Sequence, residues 1–470
     1  MGGFFAEETN AMRNDDRNGT LKLPLFADLS RRDLLRLGAV GGAGLALGNL
    51  WFLPAFAAPP KPGARAKSVI QIWMWGGPSH LDTFDPKPEA GSDFSGPLDH
   101  PIETNVSGIR ICELMPNLAK CAEKYSIVRG MTHGVNAHET ASYEVQTGRA
   151  SGGTDVYPGV GAVVSYFKGV NAGYQGLIPP YIVLTEPQGR FADEGFLGLR
   201  YQPFATGGDP AQARFAVEGV VLQGISDQRQ QGRRQLLHDL DALDKALRDD
   251  PRMAPWKESE RQAYELILGD GGKVFDLSQE KDEMRDRYGR NTFGQSCLAA
   301  RRLVERGVPY ITINYQGGWD THKENFQTMR RRVPEMDKAM AALLLDLSER
   351  GLLDSTIVWW SGEFGRTPKV QWEAPWNGGR GHWGQVFSAV VAGGGFAGGQ
   401  VIGSSDARGE EVKDRPVYPM DLISSIYTLL GIDLHAPLPH PLGQTVFVGP
   451  AREENVRTAG MLREIMGARA

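Results

Sequence analysis

The residues able to do chemistry are unevenly spread. Five of the nine histidines fall in short segments rich in Gly and acidic residues. The first is Gly76-Gly-Pro-Ser-His-Leu-Asp-Thr-Phe-Asp85, and the second is Met131-Thr-His-Gly-Val-Asn-Ala-His138. The third is Gly317-Gly-Trp-Asp-Thr-His322. The fourth is Ser361-Gly-Glu-Phe-Gly-Arg366, joined by Gly379-Arg-Gly-His-Trp383. Imidazole and carboxylate together suit Zn²⁺, or Mn²⁺ and Fe, better than Ca²⁺. His80/Asp82 and Asp320/His322 are i, i+2 pairs, and in extended chain such residues point to one side, so each pair can aim two ligands at one ion. Two close ions would bridge an ester oxyanion and activate a hydroxide. Taken singly, a His after a strand is more often a hydrogen-bonded structural residue; the constellation is what favours metal. Asp85, before Pro86, reads equally well as a turn residue, and His133 as a polar loop residue. Arg366 could hold an oxyanion bidentately, or equally form a salt bridge to Glu363 or cap a helix.

The elements that must position these residues alternate. Residues 68–75 form a continuous apolar run ending at Gly76-Gly77, as buried parallel strands do. Further strands are expected at 125–128, 180–184, 310–314, 356–360 and 386–391. Helices are expected at 291–306, closed by Gly307, at 326–350, stopped by Gly351, and at 420–430. Residues 226–305 read as a helical insertion or cap, with a leucine stripe over 233–248 that is an ordinary packing face. Arg330-Arg331-Arg332 reads as a solvated helix face. The alternation predicts an α/β domain with a doubly wound, mostly parallel sheet and helices on both faces. In such sheets ligands bind outside the carboxyl ends of the strands, and four of the segments above stand there.

The 470 residues are 41% hydrophobic and 23% charged, with a net charge of −5, which excludes a disordered or collagen-like chain and any global pull on nucleic acid. Three cysteines are too few for a disulfide scaffold, and none lies in a Cys-x-x-Cys pair. Ser30-Arg31-Arg32 precedes an apolar, Gly/Ala-rich run from Leu37 to about Phe56, and Ala55-Phe56-Ala57 offers a small-x-small cleavage site. Together they read as a signal peptide over residues 1–57, and the paired arginines point to the twin-arginine export machinery and a periplasmic or extracellular destination. The alternative is a membrane anchor of marginal length; after cleavage no stable span is expected. An oxidising compartment would permit a Cys112–Cys121 or other bridge. The α/β domain is expected over 58–450, with a C-terminal tail at 451–470.

The segments at 76–88, 288–308, 317–322, 351–368 and 379–383 resemble those of the bacterial secreted family known as domain of unknown function 1501. That family is similar to the alkaline phosphatase/sulfatase superfamily, whose members hold metals at strand carboxyl ends. The resemblance implies that Asp320 and His322 stand at the superfamily's Asp…His metal segment, Glu363 at the Asp of its Asp-His-Gly segment, and His382 at its late metal-binding His. There are departures. The superfamily's nucleophile lies nine residues before the Thr of a Thr-Gly pair, and counting back from Thr147 reaches His138. Phe364 replaces a metal-binding His, and Gly381 an Asp usual in the family. No cysteine lies near residue 138, so a formylglycine mechanism is not supported.

Two readings result. The first is an exported hydrolase of phosphate or sulfate esters, on small molecules or polysaccharides. His80, Asp82, His138, Asp320, His322, Glu363 and His382 would hold one or two divalent ions (Zn first; Mn, Fe or Ca as alternatives). Arg366 would steady the anion, and His138 would be a ligand or a phosphohistidine-type nucleophile. Direct attack by metal-activated hydroxide is preferred, because it needs no side-chain nucleophile. The second reading is a non-catalytic periplasmic or surface binding protein on the same fold, suggested by the missing hydroxyl nucleophile.

Overall fold

The structure is a computed structural model that describes residues 64–467 except 170–171, 189–191, 213–214, 216–271 and 316–317. The expected signal segment and the leucine stripe at 233–248 lie outside the described residues.

The six apolar runs form the strands they predict, with ends shifted by no more than three residues and, at 310–314, not at all: β1 (Ser68–Trp73), β2 (Tyr125–Met131), β3 (Tyr181–Leu184), β5 (Tyr310–Asn314), β6 (Thr356–Ser361) and β9 (Phe387–Ala392). Two short edge strands, β4 (Phe204–Ala205) and β10 (Val401–Ile402), complete an eight-stranded sheet of order β10-β2-β9-β6-β1-β5-β3-β4. At two residues each, they are too short to leave a periodic pattern in the sequence.

All neighbours in this sheet run parallel except β9, which is antiparallel to both β6 and β2. The reversal matters for the site. Its Val390 pairs with Trp360 and its Ala392 with Val358, so β9 starts at the rim where β6 ends. Residues just before β9 therefore reach the same rim as residues just after β1, β5 and β6.

The strands read as unbroken apolar runs because both faces are covered. Ile70, Ile72, Ile311, Ile313, Val358, Trp360 and Val390 join one buried cluster with α3 (Thr292–Glu305) and α4 (Asn325–Glu349). Val69, Trp73, Tyr310, Ile357, Trp359 and Val391 join the other with α2 (Val160–Lys168) and α5 (Pro419–Leu429). The doubly wound, mostly parallel α/β class is the one expected. α3, from the stretch read as an insertion, lies directly in the first core. Leu462, Ile465 and Met466, from the stretch read as a tail, are buried in the second. Cys112, Cys121 and Cys297 are buried and unbridged. Among the described residues no helix is long and apolar enough to cross a membrane.

Trp360 sits edge-on to Phe84, ring centroids 4.9 Å apart, and is 1% exposed. Replacing it with Ala leaves a large cavity, and urea unfolding should show a loss of about 3–5 kcal/mol. A loss under about 1 kcal/mol would mean that β6 does not run through the core as described.

Candidate metal centre

The turn after β1 is the floor of the site. Gly76 and Gly77 take φ of 111° and 71°, the left-handed side that favours glycine. A side chain at Gly76 would collide with the backbone of Asp320, and one at Gly77 with Phe364. The Gly-Gly pair thus lets the loops after β1, β5 and β6 meet. The Gly76 amide donates to both carboxylate oxygens of Glu363, at 3.0 and 3.2 Å. After β6 the chain forms a small hairpin of β7 (Gly365–Arg366) and β8 (His382–Trp383), in which His382 pairs with Arg366. The hairpin then feeds β9, which is how His382 reaches the rim from the amino side of a strand.

Asp320 is the hub. Its Oδ1 lies 3.1 Å from His322 Nε2 and 3.1 Å from His382 Nε2, and accepts from Arg366 Nη2 at 2.5 Å. Its Oδ2 lies 3.3 Å from Nε2 of His138, the first residue of α1 (His138–Thr147). Ligand atoms of His138, Asp320 and His382 all fall within 4.8 Å of one another. His322 adjoins them, its Nε2 2.8 Å from His382 Nε2.

The outer partners fix the ring tautomers. His382 Nδ1 is 2.8 Å from the Asn136 carbonyl oxygen. A carbonyl only accepts, so Nδ1 carries the proton and Nε2 presents a lone pair to Asp320. His138 Nδ1 donates to Glu363 Oε1 at 2.6 Å, so its Nε2 also faces the hub. Trp75 stacks at 5.9 Å from the His138 ring, and Phe364 lies against both His138 (4.9 Å) and His382 (4.6 Å), walling the imidazoles on their apolar side.

Without a cation, protons fill this space: His138 Nε2 carries one toward Asp320 Oδ2, and another lies in the 2.8 Å contact between His322 and His382, positions that a bound cation would take over. The ionisation pattern agrees. Hydrogen bonds to Asp320 and then Glu363 raise the His138 pKa to about 9. Burial opposes charge on Asp320, yet His138 and Arg366 prevail and hold its carboxyl well below the usual carboxylate range. Burial, Arg366 and the neighbouring imidazoles lower the pKa of His322 against the pull of Asp320. A set of imidazole nitrogens with one carboxylate fits a borderline ion such as Zn²⁺.

Four of the expected ligands therefore converge: His138, Asp320, His322 and His382. The other three do not. His80 is 1% exposed, its Nε2 is 2.8 Å from the Gly409 carbonyl oxygen, and it packs beneath Gly365. Asp82 is fully buried and takes a bidentate ion pair from Arg380, at 2.8 and 3.0 Å, plus a hydrogen bond from Asn325 at 2.8 Å. Their i, i+2 spacing does not bring them to the rim, because the chain turns after Ser79, with the Asp85 amide bonded back to the His80 carbonyl. Glu363 belongs to the site but stands behind His138, its oxygens taken by that ring and by Gly76.

Arg366 also differs from expectation. Its guanidinium is fully buried and bonds Gly76 O, Gly77 O, Arg380 O and Asp320. It orients Asp320, pairs with it rather than with Glu363, and has no face turned to an incoming anion. His133, read as a loop residue, is buried, its Nε2 2.7 Å from the Glu363 carbonyl oxygen. The sequence reading missed Asn136, whose carbonyl sets the His382 tautomer and whose Oδ1 accepts from the Gly384 amide at 2.6 Å. The only sequence signal was its place two residues before His138.

The chain belongs to the family described as Protein of unknown function (DUF1501), which it matches over residues 66–457. No curated protein matches it. Among solved structures it is similar to the lipoteichoic acid synthase LtaP from Listeria monocytogenes, at 10% identity and TM-score 0.36, covering 83% of this chain and 76% of that one. It is similar to the PsFucS1 sulfatase from Pseudoalteromonas sp., at 14% identity and TM-score 0.36, covering 92% and 77%. It is also similar to the C-terminal periplasmic domain of EcEptC from Escherichia coli, in complex with Zn, at 10% identity and TM-score 0.35, covering 86% and 95%. None of these likenesses bears on the chemistry of the site.

Two predictions follow from the buried groups around it. Burial lowers the pKa of His80 and of His133 to about 4. Both are neutral in the fold and bind protons more readily when unfolded, so stability falls as pH drops from about 6.5 to about 4, by up to about 3 kcal/mol each. Melting temperature measured against pH should show that slope, and the His80→Gln/His133→Gln double variant should flatten it. An unchanged slope in the variant would refute the assignment. Arg380→Met strands the buried Asp82 charge and should cost about 3–5 kcal/mol in urea unfolding, whereas a metal-ligand role for Asp82 predicts little change in the metal-free protein.

Proposed function

We propose that the chain is an exported, metal-dependent hydrolase of phosphate or sulfate esters. The observation that carries this reading is the convergence on Asp320 of His138 and His382, each with its other ring nitrogen occupied. His138, Asp320 and His382 would hold one divalent cation, Zn²⁺ first by donor type, and three protein donors leave a position open, the pattern of catalytic rather than structural zinc sites. When bound, such an ion supplies positive charge that stabilises a developing oxyanion and makes water more acidic.

The chain's own residues do the rest. Glu363 orients His138, and Arg366 orients Asp320. Arg366 cannot also grip the substrate, so the anion's charge must be met at the open rim. His322 is the most solvent-accessible of the three imidazoles, its side chain 39% exposed against 25% for His138 and 21% for His382. Burial, Arg366 and the neighbouring imidazoles favour its neutral form, and with its Nε2 proton held in the 2.8 Å contact to His382 Nε2, Nδ1 is the nitrogen that would take a proton from an attacking water. Arg31-Arg32, the apolar run after it and Ala55-Phe56-Ala57 support export by the twin-arginine pathway, which carries proteins already folded and so suits one loaded with metal in the cytoplasm.

Metal content by elemental analysis and hydrolysis of p-nitrophenyl phosphate, p-nitrophenyl sulfate and a phosphodiester analogue test the proposal. The wild type should hold about one equivalent of metal and turn over at least one ester. Asp320→Ala should lose both. His322→Ala should keep the metal and lose roughly 10²-fold or more in kcat, the scale of general-base catalysis. A folded wild type that takes up no Zn²⁺, Mn²⁺ or Ca²⁺ sinks the reading. A loaded protein inert to every ester favours a binding protein instead.

A further inference from the structure

One buried histidine stands outside the ligand cluster yet touches the supports of two of its rings. His133 follows β2 and is 1% exposed, with the Phe387 ring of β9 5.1 Å away. Its Nδ1 accepts from the Val135 amide at 3.0 Å, and its Nε2 lies 2.7 Å from the Glu363 carbonyl oxygen. An amide N–H only donates and a carbonyl only accepts, so the ring is neutral with its proton on Nε2. Burial, which lowers its pKa to about 4, agrees.

Each arm leads to one metal-facing imidazole. The Glu363 arm fixes the main chain of the residue whose carboxylate takes His138 Nδ1 at 2.6 Å. The Val135 arm fixes the residue before Asn136, whose carbonyl oxygen stands 2.8 Å from His382 Nδ1. The same turn is clamped to the β7–β8 hairpin. The His133 and Gly134 amides both donate to the Gly384 carbonyl oxygen, at 3.2 and 2.9 Å, and the Gly384 amide donates to Asn136 Oδ1 at 2.6 Å. A side chain at Gly384 would strike the Val135 backbone, so turn and hairpin meet directly. The His133 ring then ties this turn to the loop after β6.

We propose that His133 is a positioning residue for the metal centre: one neutral ring sets the outer partners of both His138 and His382, so that their Nε2 atoms face the same cation. The role rests on the metal reading given above. No amide side chain reproduces it. Gln offers a donor in place of Nε2, and Asn an acceptor in place of Nδ1, but neither spans both arms.

Three variants of the full chain separate the arms. His133→Gln keeps the Glu363 arm, His133→Asn keeps the Val135 arm, and His133→Phe loses both. Zn²⁺ affinity, measured by competition with a chromophoric chelator, should fall about 10- to 100-fold in His133→Phe, the scale of lost outer partners, and by less in each of the other two. If His133→Phe does not fold, the Gln and Asn variants carry the test. Ile426→Ala, a fully buried change on α5, should lower stability without changing Zn²⁺ affinity. Ring ¹⁵N spectra of the metal-free protein give a readout that needs no zinc. The His138 and His382 signals should move in the His133 variants, while His440, whose Nε2 pairs with Asp155 at 3.3 Å, stays in place. Zinc binding that all three variants retain, or an affinity loss that Ile426→Ala reproduces, overturns the role and leaves the metal centre standing. A wild type that takes up no zinc removes the hydrolase reading instead. The ring spectra then decide the positioning role by themselves, and unmoved His138 and His382 signals overturn it.

Discussion

A single carboxylate, that of Asp320, organises the rim. It faces His138 on one oxygen and His322, His382 and Arg366 on the other. In a half-buried setting such a gathering holds only if charges balance, since like-facing lone pairs repel more strongly as the dielectric falls. The fold supplies part of the balance through the buried Arg366 guanidinium. The rest belongs to a proton or a cation in the space the imidazole nitrogens share. The protein has committed the other nitrogen of His138 to Glu363 and that of His382 to the Asn136 carbonyl, so neither ring can escape by switching tautomer.

The scaffold serves this arrangement by bringing distant segments to one edge. β1, β5 and β6 are adjacent and parallel, so their trailing loops are neighbours. β9 runs against them, so its leading hairpin joins the same edge. The Gly76-Gly77 turn keeps the approach open where any side chain would strike Asp320 or Phe364. Beneath the rim, the Asp82–Arg380 ion pair anchors the strand of chain that continues into His382. It is a buried pair whose worth lies in holding a loop rather than in stability as such.

Much of this was legible in the sequence. Both-face burial writes strands as unbroken apolar runs, and the six longest were readable to within a few residues. Asp320 and His322 were legible because His and Asp are rare together after a strand, His382 because it stands in a Gly-rich segment just before one, and His138 because it opens a helix at the same rim. His80 and Asp82 misled because their spacing assumes extended chain, while the chain after Ser79 turns and buries both. Arg366 misled because its role depends on three backbone carbonyls, which no side-chain pattern reveals. The reversed direction of β9 and the part played by Asn136 were out of reach for the same reason: each is set by partners more than two hundred residues away or by a neighbouring strand's direction.

The most direct test of a shared cation is anomalous diffraction at the zinc edge, from crystals of the full chain grown with ZnCl₂. One strong peak within bonding distance of His138 Nε2, His382 Nε2 and an Asp320 oxygen, with Glu363 still bonded to His138 Nδ1, is the predicted result. A map with no peak there, or with zinc bound only at surface residues, would contradict the account and leave the cluster as a hydrogen-bonded polar network.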